Sequence, residues 1–193
     1  MVYLLAEAAN LAGWLGVKDS DISFYLRMTP SLLLAIAFVI LMVSIHSYAP
    51  ERNRIWSHIG LAFAIIYAVM VTIVYFVVIT VVVPQTAAGQ AQQIGVLAFE
   101  FGSFLYAIDV LGYGFMCLST LFASAVFTGH GLESWTRKAL FVNGILAPVI
   151  PLQMVYAPLW KLAALWGLTF PTSTILLAVL FRRLLRSQTL AGG

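Results

Sequence analysis

Residues 55–83 read IWSHIGLAFAIIYAVMVTIVYFVVITVVV, 29 residues that hold no Asp, Glu, Lys or Arg. The β-branched run at the end would be a strand in a water-soluble protein. In lipid, a strand with an open edge leaves its N–H and C=O groups without partners, whereas a helix satisfies them within one segment, so the stretch is predicted to be helical. The ~30 Å hydrocarbon core needs about 20 apolar residues as helix. A helix of 29 residues therefore has to tilt or extend beyond the membrane, and Pro84 is expected to end it.

The rest of the chain has the same character. Of 193 residues, 62% are hydrophobic and only 9% charged, against roughly a quarter charged in ordinary soluble domains. This excludes a water-soluble fold and predicts an all-α integral membrane bundle forming a single domain. Further spans are predicted at residues 30–49, opened by Pro30 and stopped by Pro50; at 99–127; at 139–156, broken by Pro148 and Pro151; and at 162–181, which contains Pro171. That makes five. The N-terminal stretch 1–16 rises only about 24 Å as helix. It lacks the basic flank of a signal peptide, so it is expected to be retained as an interfacial or short sixth helix.

The net charge of +3 does not point to nucleic acid, because the basic residues sit at the ends of apolar runs and form no continuous surface. Arg52, Arg54, Arg137, Lys138, Arg182, Arg183 and Arg186 fall on one predicted side, and Lys18, Arg27 and Lys161 on the other. The excess of cytoplasmic basic residues in membrane proteins then places the C-terminus in the cytoplasm and the protein in the cell membrane. The single Cys117 cannot form an intrachain disulfide and reads as a small buried hydrophobe.

Two acids interrupt the third span. Glu100 lies at its outer mouth, where a helix-end carboxylate reaches water. Asp109 lies deeper, roughly 7 Å from the membrane centre by helical rise. An unpaired charge there costs at least ~2.5 kcal/mol, so Asp109 requires partners or a proton. Tyr106 and Tyr113 share its helix face at minus three and plus four. Matching depths across spans adds Tyr75, Gln153, Thr169 and Thr172. The expected result is a buried polar cluster that either fastens helices together or binds a small amphiphile, a cation or a proton. The proline breaks on the spans that supply Gln153 and the threonines are the kind of interruption that transporters build sites around.

His46 and His58, at the cytoplasmic ends of adjacent spans, supply two imidazoles at one depth, the ligand set of a b-type haem. They read otherwise as interfacial side chains; no metal site and no cofactor is assigned, and no phosphate-loop, zinc-protease or serine-hydrolase motif occurs. A non-enzymatic protein is favoured, its surroundings being the lipid bilayer. Gly112 and Gly114 of LGYGF suit close helix approach, within the chain or in an oligomer.

The stretches IWSHIGLAFAIIYAVMVTIVYF, LGYGFMCLSTLFASAVF and NGILAP resemble a family of prokaryotic polytopic membrane proteins designated only as a domain of unknown function. The resemblance runs over about residues 30–183. It implies a multi-pass helical fold and supplies no activity and no site residues.

Overall fold

In a computed structural model, residues 21–191 are described; the stretch 1–16 lies outside them. The described residues are helical and contain no strand. Four helices are long and apolar enough to cross a membrane: Met28–Tyr48, Glu51–Ala87, Phe104–Ser124 and Ala157–Ser187. A fourth predicted span, 139–156, is not one of these, and the reason is local chemistry.

Helix α1 runs over Asp21–Tyr48 with Pro30 inside it, not at its start. The missing Pro30 N–H frees only the Leu26 carbonyl, a defect that membrane helices absorb. After a turn at Glu51–Asn53, α2 covers Arg54–Val77. It continues through a π-helical turn, Val78–Val82, into Val83–Ala87. Pro84 therefore does not end this helix. Within the π turn the Val83 N–H reaches back to the Val78 carbonyl, and this change of register carries the chain past the proline's missing donor.

Helix α3, Phe104–Ser124, starts later than expected because the chain turns at Glu100–Ser103. Ser103 then caps the helix, its Oγ accepting from Tyr106 N–H at 3.3 Å. Helix α4 spans Leu132–Gly144, only 13 residues. Pro148 and Pro151 cannot donate to the carbonyls of Gly144 and Ala147, so the helix cannot continue. The Gly144 carbonyl accepts instead from Ala147 N–H at 3.0 Å in a tighter turn. A single turn, α5 at Val149–Leu152, follows. The chain turns again at Trp160–Ala163 and enters α6, Trp166–Ala191, with Pro171 inside.

The interrupted segment α4–α5 runs antiparallel to α3. A Cβ on Gly144 would lie 2.5 Å from Leu121 Cβ, and one on Gly114 would lie 3.1 Å from the Ala147 carbonyl oxygen and 3.2 Å from Pro151 Cδ. Gly112 is similarly pressed on Val71 of α2, at 2.9 Å from such a Cβ. These glycines serve contacts within the chain. The core gathers Phe38 and Met42 from α1, Tyr67 and Val71 from α2, Met116 from α3 and Leu177 from α6. Outward, Ile36, Ile40, Val69, Ile73, Phe76, Leu168 and Ile175 are exposed. So continuous an apolar exterior is the surface expected to face lipid.

Candidate functional site

Ser103 sets the phase of α3, and three- and four-residue steps put Tyr106, Asp109 and Tyr113 on one side of it. Asp109 is 7% exposed and is the only Asp, Glu, Lys, Arg or His buried among the residues whose side chains are described. Its Oδ1 is buried with no hydrogen-bond partner. Tyr75 of α2, also buried, lines the same cleft as this carboxyl. The hydroxyls of Tyr75 and Tyr113 are 3.0 Å apart.

These side chains line a cleft of about 550 Å³ between α3, the α4–α5 segment and the start of α6. Its other walls are Val110, Ile150, Gln153, Trp160, Ala163, Ala164, Trp166 and Gly167. Gln153 donates through Nε2 to the Ile150 carbonyl at 2.7 Å, which leaves its amide oxygen as an acceptor for anything in the cleft. Trp166 stacks on Phe170 with ring centroids 5.3 Å apart and meets Tyr113 edge-on at 4.8 Å. Its Nε1–H is buried without a partner. Trp160, at the other edge, is exposed.

Tyr75, Tyr106, Asp109, Tyr113 and Gln153 thus share one cleft, whereas Thr169 and Thr172 do not. The threonines line a separate apolar groove of about 310 Å³ with Trp135, Lys138 and Val142. Trp166 and Gly167 are the α6 residues that line the cleft, whereas Thr169 and Thr172 line the groove formed with Trp135, Lys138, Ala139 and Val142 of α4. They therefore face α4. Thr172 Oγ1 donates to its own Leu168 carbonyl at 2.7 Å, and Thr169 Oγ1 donates to Asn143 Oδ1 at 2.8 Å.

Asn143 is a buried polar residue that the sequence reading passed over. Besides accepting from Thr169, it donates through Nδ2 to Thr120 Oγ1 at 2.9 Å, tying α3, α4 and α6 together at the point where α4 breaks. An amide in the apolar run LFVNGILAP, next to the glycine before two prolines, was the available signal. Trp166 was also missed, because a tryptophan near a span end reads first as an interfacial anchor.

The two histidines come together, but not as haem ligands. Their rings face one another at 4.2 Å with 33° between planes, and His46 Nδ1 is 2.7 Å from Ser57 Oγ. Axial ligands point their nitrogens at one iron from opposite faces of a porphyrin, so rings in mutual contact leave no room for the macrocycle. Among the described residues no group of three His, Cys, Asp or Glu side chains could hold a metal. Glu100 is exposed in the turn before α3. At the opposite end of α3, Tyr48 donates to Glu133 Oε1, Gly129 N–H donates to Glu133 Oε2 at 2.6 Å, and Arg52 donates to Thr128 Oγ1 at 3.2 Å. These bonds join the α1–α2 and α3–α4 turns.

No family model, no curated protein and no solved structure matches the chain.

Proposed function

We propose that the protein is a multi-pass membrane protein whose cleft beside Asp109 binds a small cationic amphiphile or cation and supports its passage through the bilayer, without covalent chemistry. The observation that carries this reading is a buried acid, Asp109, that lines a 550 Å³ cleft and whose carboxyl keeps one oxygen without a hydrogen-bond partner. A carboxylate in such a place costs several kcal/mol unless a positive group or a proton completes it. Fastening of helices falls to Asn143, whose bonds to Thr120 and Thr169 are made inside the protein. Asp109 is left with an acceptor to spare. The discontinuous α4–α5 segment forms one wall of the cleft, the arrangement by which transporters expose a mid-membrane site.

In this reading the α1–α2 turn with the start of α2, the first half of α4 and the C-terminal part of α6 lie on the cytoplasmic side, carrying seven of the ten basic residues. The cleft then lies in the outer half of the membrane. Its test is flux in proteoliposomes. Wild type should pass an organic or inorganic cation in a saturable way, and Asp109→Asn should lose that flux while keeping the wild-type melting temperature. Loss of flux only in step with loss of folding would make Asp109 a packing residue and overturn the proposal.

A further inference from the structure

Resting on that reading, we infer that the ligand of the Asp109 cleft is an organic ammonium, a protonated amine that donates an N–H to the Asp109 carboxylate and lays its apolar body against aromatic walls, and not an inorganic ion.

Three features separate these classes. The first is donor count. Calcium or magnesium is held by six or more oxygens with several carboxylates or waters among them, and transition metals take clustered imidazole, thiolate or carboxylate ligands. The cleft offers one carboxylate, an amide oxygen and phenol hydroxyls, and no acid–histidine–cysteine cluster exists among the described residues. The second is volume. About 550 Å³ is in the range of small-molecule sites and corresponds to many waters at ~30 Å³ each, so a bare ion would leave most of it unfilled. The third is the nature of the walls. Tyr106, Tyr113, Trp160 and Trp166 line the same cleft as the acid with ring surface. Aromatic faces attract ammonium groups through their quadrupoles and bury hydrocarbon at the same time.

The unpaired acceptor refines the class further. The Asp109 carboxyl has an acceptor without a donor, and a donor to this carboxyl is what a primary, secondary or tertiary ammonium supplies and a quaternary one cannot. A charge-assisted N–H···O⁻ bond is about twice as strong as a neutral one. A protonated amine therefore matches both the charge and the missing donor.

The full chain purified in detergent, titrated with benzylamine, benzyltrimethylammonium, benzyl alcohol and sodium chloride, separates the possibilities by saturable thermal shift. Benzylamine should raise the melting temperature. The neutral alcohol should bind about tenfold more weakly or worse, and the quaternary analogue should also be weaker than the amine, through loss of one charge-assisted bond. Trp166→Leu should weaken benzylamine about tenfold and narrow its advantage over the alcohol, which loses only the apolar contact. The comparison of amine with alcohol is made on wild type, so it holds even where a variant fails to fold. Equal binding of amine and quaternary analogue would overturn the N–H assignment. A saturable shift with sodium and none with amine, lost in Asp109→Asn, would overturn the ammonium inference and leave the cation-binding reading standing. No Asp109-dependent shift with any probe would overturn both.

Discussion

The hydroxyls of Tyr75 and Tyr113 meet at 3.0 Å across the α2–α3 interface, and both side chains line the cleft with Asp109. Replacing either tyrosine by Phe removes that contact, so Tyr75→Phe and Tyr113→Phe should each cost about 1 kcal/mol of stability. The double variant should cost clearly less than the sum, because the second substitution has no shared bond left to break. Tyr75→Phe should in addition weaken cation binding, which a titration of both variants would detect.

Asn143 and Asp109 should separate in their effects. Asn143→Ala removes the side-chain bonds to Thr120 and Cys117 of α3 and to Thr169 of α6 and should destabilise by about 1–2 kcal/mol, the upper range for interhelical bonds in membranes. Its ligand affinity should be unchanged, since Asn143 does not line the cleft. Asp109→Asn should do the reverse, with stability near wild type and ligand affinity lost. Denaturation and binding measured on the same two proteins test the pair.

The two glycine contacts along the interrupted segment also differ. A methyl on Gly144 would meet the Leu121 Cβ at 2.5 Å and its Cα at 2.6 Å, which no rotamer change relieves. Gly144→Ala should therefore push α4 off α3 and cost about 1–3 kcal/mol. At Gly114 the same methyl would lie 3.1 Å from the Ala147 oxygen and 3.2 Å from Pro151 Cδ, a clash that a few tenths of an ångström of movement in the segment would ease. Gly114→Ala should shift a wall of the cleft, so its main effect should be on ligand affinity, with a smaller loss in melting temperature.

Orientation is open to chemical labelling. Cys117 is buried inside α3, so Cys117→Ser provides a background in which Ser187→Cys, exposed near the end of α6, reports on one side alone. A membrane-impermeant thiol reagent should label it only after the cells are permeabilised. Labelling in intact cells would reverse the orientation.

Much of the cleft was legible from sequence because helical phase is a reliable guide within one helix. Tyr106, Asp109 and Tyr113 had to share a face of α3, and depth matching brought in Tyr75 and Gln153. Depth gives height in the membrane but not angle about a helix axis, and Thr169 and Thr172, chosen by depth alone, face α4 instead. Prolines were read too rigidly. Pro30 and Pro84 sit inside helices because one missing donor is absorbed by local adjustment, as the π turn before Pro84 shows. Pro148 and Pro151, three residues apart, remove two carbonyl partners in succession, and there the helix stops. Asn143 escaped notice because nothing about its composition says that it lies at a three-helix contact; only the pairing of α4 with α3 and α6 reveals it.

The most direct measurement is an isothermal titration of benzylamine into the detergent-purified protein, wild type against Asp109→Asn. One saturable site per chain is expected for wild type, with affinity reduced about thirtyfold in the variant, the value of one charge-assisted hydrogen bond, and with both proteins melting at the same temperature. Equal affinity in the two, at equal stability, would contradict the assignment of Asp109 as the group that binds the cation.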